Sequence, residues 1–333
     1  MHPLFSKLTL FLETTVSPIS NDLDSNSTLL KNCYQQLIEL DGLRLRIPCE
    51  YGGLGFERYE WIEYTSQLAG YSGALLFLQA QHQYAISRLN KLLPDPKIAS
   101  VLQSLAKKNI GVGVGFASNK KILTVEKCAD GFYISGMLKW VTGFDFFPHI
   151  LLSFDKDDID YYCFLPFEAI SHSLILSPIL EPIVFSATNT VSITLKNYFI
   201  PFEKIIISHI SKPKVPFEHP AIYSLLGATK ALLKIAATEK YHYNSLVKDR
   251  LKVLSEEWKT YHTEVMQSAA TDPFRLRAAG LELAEKCLSF AKLVCDTQGL
   301  LKTHAITRIN REIWQYSIGG YSEGQLEAYL KHT

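Results

Sequence analysis

The sequence lacks a dominant charge. Across 333 residues, 34 Lys and Arg face 33 Asp and Glu, so no field exists to hold nucleic acid or an anionic bilayer, and any phosphate-bearing ligand must be met locally. It has no Walker loop, no GxGxxG and no HExxH, which leaves kinase, nicotinamide and zinc-protease chemistry without support. Paired cysteines are also missing. The six present, Cys33, Cys49, Cys128, Cys163, Cys287 and Cys295, are scattered, with no CxxC and no His at ligand spacing, so reduced thiols and no metal site are expected. No apolar window approaches the roughly 20 residues of a spanning helix. The opening MHPLFSKLTLFLETT is broken by Glu13 too soon for a secretory signal, and the expected compartment is the cytoplasm.

What is present is ordered by period. From residue 4 to about 107 the apolar spacing is helical: Leu29, Leu30, Cys33, Leu37 and Ile38 recur at three- and four-residue steps behind Ser25-Asn26-Ser27, with Gly42 after them. Pro48 and the glycines Gly52, Gly53 and Gly55 make an ordered loop. Helices are expected at about 57–70, 73–93 and 98–107, the second stopped by Pro94-Asp95-Pro96. At Asn109 the period changes to two. Short β-rich runs follow at 110–116, 123–128, 131–136, 137–141, 150–154, 161–166 and 191–199. The stretch Gly131 to Gly143, GFYISGMLKWVTG, reads as a hairpin turning through Ser135-Gly136 with a buried Trp140. The Pro-bearing segment 201–219 returns the chain to helix, with helices at about 220–247, 250–270, 273–297, 302–317 and 321–331. Helices, then strands, then helices, without βαβ alternation, exclude a doubly wound fold. The expected class is α+β multidomain: an N-terminal helical domain over 1–108, a middle β-barrel or sandwich domain over 109–205 and a C-terminal helical bundle over 206–333.

Six local motifs in this order resemble the acyl-CoA dehydrogenase family over nearly the whole chain. Pro48 to Phe56, PCEYGGLGF, resembles the family's Pro-x-x-Tyr-Gly-Gly-Leu-Gly loop, and Leu68-Ala69, Gly73-Ala74-Leu75 and His82 its following helix pair. Val112 to Ser118 stands at the family's entry to the β-domain, and Trp140-Val141-Thr142 at its Trp-Ile-Thr. Thr188 to Pro201, TNTVSITLKNYFIP, resembles the strand ending in Val-Pro, and Gln298-Gly299 through Arg308 and Arg311-Glu312 the Gly-rich turn and Arg-Asp of the last helices. The resemblance implies FAD, with Phe116, Ala117, Ser118, Trp140, Val141, Thr142, Gln298 and Gly299 as cofactor-binding positions. It also implies an acyl-CoA or acyl-carrier substrate, an electron-transfer or reductase partner, and a homo-oligomer.

The sequence also departs from the family. Phe116 to Lys121 lacks the Gly-Ser-Asp that holds the flavin pyrophosphate, leaving Lys120 and Lys121 as possible phosphate charges, and the Arg-Lys-Thr-Phe-Gly that reaches across the subunit interface is missing after Tyr241. The family's catalytic carboxylate falls on Gly319 or Gly320. Glu218, placed relative to Gly227, is the candidate base, with a capping role before Pro220 as its plainer reading; Glu323 and Glu327 are others. His82 reads as a core histidine, although monooxygenases of this fold keep His82 and Ser118 in play. Phe144, Phe146 and Phe147 are candidates to line an acyl or aromatic pocket. Three functions stay open: dehydrogenation of an acyl thioester, a flavin monooxygenase or oxidase, and a flavin-free binding protein.

Overall fold

The structure is a computed structural model that describes residues 2–116, 122–168, 172–210, 220–239, 241–267 and 273–318. The first helices are α1 (Leu4–Phe11), α2 (Ser27–Glu39), α3 (Arg58–Tyr71), α4 (Gly73–Asn90) and α5 (Pro96–Lys108). Each helix start has a local cause. Asn26 caps α2 by accepting the Leu29 N–H at 3.1 Å, Glu57 and Glu60 form a capping box on α3, and Asp95 caps α5 with Pro96 in its first turn. Helix α4 ends at Asn90, ahead of Pro94.

Among the described residues eight strands follow: β1 (Val112–Phe116), β2 (Leu123–Lys127), β3 (Gly131–Val141), β4 (His149–Lys156), β5 (Ile159–Pro166), β6 (Leu174–Leu176), β7 (Val191–Pro201) and β8 (Ile205–Ile210). They form two four-stranded sheets, β1-β4-β5-β8 and β2-β3-β7-β6. Only the β1–β4 pairing among these is parallel. The sheets face each other through Phe132, whose ring lies 5.3 Å from Phe154 and 4.7 Å from Tyr161. The other face of the first sheet packs on α4 and α5 through Ile86, Leu89, Ile98, Leu102, Leu151 and Tyr162. Covering on both faces explains why Ile150, Leu151 and Leu152 are consecutive and all buried.

Two expectations about the strands fail. Ser135-Gly136 makes no turn: β3 is one continuous strand from 131 to 141, and β2 and β7 pair along its two edges. The irregularity is a bulge in β7, where Asn197 takes φ 49° and its N–H is accepted by Ser135 Oγ at 2.9 Å. Gly136 is required because a Cβ there would stand 2.3 Å from the Ile122 carbonyl oxygen. Second, residues 205–210 are a strand, not the start of the C-terminal helices; β8 pairs with β5, so the strand region runs past the expected boundary at 205. The isoleucines Ile205, Ile206 and Ile207 favour a strand; of the prolines that suggested otherwise, Pro201 closes β7, and Pro213 and Pro216 come after β8.

The chain then forms α6 (Ala221–Thr238), α7 (Ser245–Gln267), α8 (Pro273–Cys295) and α9 (Ala305–Ile318). Helices α3 and α6 cross at Gly227, where a Cβ would lie 2.1 Å from the Ser66 carbonyl oxygen and 2.7 Å from Ala69 Cβ. The first and last helical groups are thus in backbone-level contact. The expected tail helix, 321–331, lies outside the described residues.

Candidate active site

The end of β3 is built around a second bulge. Leu138 pairs with Ile193 and Val141 with Val191, so β3 carries one residue more than β7 there, and Trp140 takes it up with φ 59°. A bulky residue in the left-handed region costs about 1–2 kcal/mol. Burial does not offset that cost: Trp140 is 66% exposed, not the buried Trp expected of a hairpin. The backbone is strained in a way that leaves an indole in the open, while its neighbours Val141 and Thr142 are buried. Bulges of this kind collect beside functional sites, where they re-aim a side chain.

Thr142 Oγ1 lies 3.0 Å from Thr190 Oγ1, and the backbone continues this pairing, with Gly143 N–H on Thr188 O and Phe144 N–H on Asn189 O, each at 3.0 Å. Thr190 belongs to the TNTVSITLKNYFIP motif, but its role as the partner of Thr142 depends on a loop closure of 48 residues. Strand β1 lies against the same place: a Cβ on Gly113 would meet Phe147 and Ile150 and come within 3.5 Å of the Thr142 carbonyl oxygen. Phe116 ends this strand, so the structure brings its segment to the 140–142 segment. Phe147 is buried against Tyr34, ring centroids 5.9 Å apart, and fills core instead of lining a pocket. Phe146 meets the same tyrosine and Phe144 meets Phe167.

The loop opposite Thr142 is held from two other segments. Asp24, in a short helical turn before α2, accepts the Phe185 N–H at 2.8 Å and pairs with Arg311 of α9 at 2.8 Å. Phe185 stacks on Phe77 of α4, centroids 5.1 Å apart. At the next residue of α9, Glu312 Oε1 takes Arg308 Nη1 at 2.6 Å and the Gly73 N–H at 3.0 Å. Burial pushes the Glu312 carboxyl up and Arg308 pulls it back. Fully enclosed, with Oε1 held by Arg308 and the Gly73 N–H, Glu312 is a structural carboxylate. Sequence reasoning missed these ties; the i,i+4 spacing of Arg308 and Glu312 is the only local signal.

His82 is equally closed. Its Nδ1 accepts the Val112 N–H at 3.1 Å, so its Nε2 carries the proton and donates to Leu43 O at 2.8 Å. Burial drives its pKa down to about 4. Both nitrogens serve the backbone, and none is left for an oxygen adduct. Gln298 and Gly299 lie on the short helical connection between α8 and α9, apart from the β3 bulge in sequence and packed on their own helices. Ala117, Ser118, Lys120, Lys121, Glu218, Glu323 and Glu327 lie outside the described residues.

This arrangement of helices, two sheets and helices has solved counterparts. The chain superposes on glutaryl-coenzyme A dehydrogenase in its glutaryl-CoA complex with a TM-score of 0.79 at 16% identity, covering 97% of this chain and 92% of that one. The chain has the acyl-CoA dehydrogenase fold. FMN-bound TdsC from a Paenibacillus species shares this fold at a TM-score of 0.78 and 12% identity, covering 100% and 98% of the two chains. Methanesulfinate monooxygenase MsuC from Pseudomonas fluorescens does so at 0.71 and 13%, covering 99% and 96%. The acyl-CoA dehydrogenase fold therefore carries more than one chemistry, and the fold does not choose among them. No family profile matches this sequence, and no curated protein is similar to it at the sequence level. No helix among the described residues is long and apolar enough to cross a membrane.

Proposed function

We propose that the protein is a flavin-dependent oxidoreductase acting on the CH–CH bond of an acyl thioester, on CoA or a carrier protein, with FAD as its cofactor. The observation that carries this reading is Trp140: an indole held 66% exposed by a left-handed backbone, beside a buried pair of threonine hydroxyls. A flat aromatic ring needs such a face to stack on and polar groups at its edge, so these residues fit a flavin ring. When bound, a flavin supplies a two-electron acceptor. Trp140 offers the stacking face. Thr142 is oriented by Thr190 and offers its hydroxyl to the ring edge, while Val141 keeps water from beneath the bulge. Phe116, Ala117, Ser118, Gln298 and Gly299 are the proposed contacts for the rest of FAD, and Glu218 is the proposed proton acceptor from the substrate.

Exposed Leu293, Leu300, Trp314 and Ile318 on α8, α9 and their connection support a homo-oligomer. Free cysteines throughout the described chain accord with a cytoplasmic setting. Visible absorbance of the protein, followed anaerobically on adding acyl-CoA, tests the reading. Bleaching of a bound flavin is the expected result. Oxygen uptake that needs a separate reductase instead would replace it with a monooxygenase, and a colourless protein that gains no thermal stability from excess FAD or FMN would replace it with a flavin-free binding protein.

A further inference from the structure

A second group of chemistry-bearing side chains lies at one end of the C-terminal bundle, where α6 stops and α8 hands over to α9. Glu239 caps the C-terminus of α6, Cys295 ends α8, and His304 immediately precedes α9. Their donor atoms all lie within 4.8 Å of one another. Glu239 Oε1 and His304 Nε2 are 3.2 Å apart. Around a tetrahedral zinc, with bonds of about 2.0–2.3 Å, neighbouring donors stand roughly 3.3–3.7 Å apart. The carboxylate and imidazole are thus already near ligand spacing, and the thiol needs to close by about an ångström or less.

We propose that Glu239, Cys295 and His304 form a zinc site with three protein ligands and a fourth position open to water. One carboxylate oxygen, one imidazole nitrogen and one thiolate suit a borderline-soft divalent ion. Magnesium and calcium prefer all-oxygen sites, and copper(I) prefers more sulfur. The outer face is accessible, since the side chains of His304 and Glu239 are 18% and 26% exposed, while Cys295 forms the buried floor at 1%. Three separate helix ends supply the ligands, so the ion would fasten the α8–α9 connection to the end of α6.

Two protons must move. In the metal-free arrangement His304 Nδ1 accepts the Ile306 N–H at 3.3 Å, leaving the Nε2 proton directed at Glu239. Zinc takes the place of that proton, which passes to Nδ1, and a contact beyond ordinary hydrogen-bond length is given up. The Cys295 thiol is buried beside Glu239, and a thiol gives its proton to solvent as the Zn–S bond forms. Binding therefore releases about one proton per zinc and tightens as pH rises.

The full-length protein, stripped with a chelator, is titrated with cobalt(II) and then zinc. One equivalent of cobalt should give a near-ultraviolet thiolate charge-transfer band and the visible bands of a four-coordinate ion, both discharged by zinc. Cys295→Ser should abolish the charge-transfer band, and Cys287→Ser, which removes another buried thiol of the same helix, should leave it. His304→Gln, at a partly exposed position, should weaken zinc more than about 10-fold. Absence of the thiolate band in the parent protein, or its survival in Cys295→Ser, overturns the site. If Cys295→Ser does not fold, His304→Gln decides: unchanged zinc affinity overturns the proposal equally. Calorimetry in buffers of different ionisation enthalpy should read about one proton released, and none released would overturn thiolate ligation.

Discussion

Trp140 and His82 are two residues that the sequence marks as capable of chemistry, and the structure treats them in opposite ways. His82 has both ring nitrogens consumed by backbone groups of two different segments, and no part of it reaches solvent. Trp140 is held in a backbone region that bulky residues avoid, yet its side chain is left largely uncovered. One site lowers its free energy by satisfying every polar group; the other accepts strain without burial in return. The contrast separates a reactive side-chain type from an available one, and availability is the better guide to function.

The largest effect should come from breaking the closed member of the pair. His82→Ala strands the Val112 N–H and the Leu43 carbonyl in an apolar interior and opens a cavity, so a loss of about 3–4 kcal/mol in denaturant stability is expected. Flavin affinity of the folded fraction should not change; selective loss of flavin with normal stability would invert the comparison. The same histidine makes stability depend on pH. Its folded pKa of about 4 lies below the ordinary histidine value of 6.5, so the unfolded chain takes up a proton first on acidification. The contribution is intact above pH 6.5 and falls as pH drops toward 4, by about 3 kcal/mol in all. A urea midpoint series should show that slope in the parent protein and a shallower one in His82→Gln.

A smaller loss, about 2 kcal/mol, is expected for Asp24→Asn, which weakens the pairing with Arg311 while keeping an oxygen for the Phe185 N–H. Because Phe185 lies on the loop that holds Thr190, flavin affinity should fall with it in a fluorescence titration, and an unchanged affinity would uncouple that loop from the site. The smallest change is the most discriminating. Trp140→Gly relieves the left-handed strain and removes an exposed side chain, so the melting point should hold or rise, by about 1 kcal/mol in equivalent stability. Flavin binding should drop in the same variant. Gained stability with retained flavin would show that the indole is not the stacking face.

The helical periodicities, and the change of period at Asn109, were legible because each rests on neighbours within one or two turns. The bulge that displays Trp140 was not, because it arises from a one-residue mismatch between β3 and β7, and no single strand encodes a mismatch. Ser135-Gly136 suggested a turn for the same reason: Gly permits positive φ, but only the neighbouring strand decides whether the chain reverses there. β6 is too short, at three residues, to declare itself, and β8 lies between Pro201 and the prolines of 211–219, which masked its run of isoleucines. Trp140-Val141-Thr142 was found through the order of motifs along the chain, while Thr190 and Asp24 entered only when distant segments met. The Glu239, Cys295 and His304 group shows the same limit, since no spacing in the sequence hints that three helix ends converge.

The pairing of Asp24 with Arg311 spans 287 residues, and that separation constrains how the protein can be made. A ribosome delivers Asp24 near the start and Arg311 near the end, so the segment before α2 has to wait for the last helix before its carboxylate is neutralised. Until then the neighbouring loop holds Asp24 by the Phe185 N–H on its carboxylate and the Ser186 hydroxyl on its carbonyl, with no countercharge. A chain stalled short of Arg311 should be cut by protease in the turns around residues 17–26, and release of the completed chain should close that window within the folding time of α9.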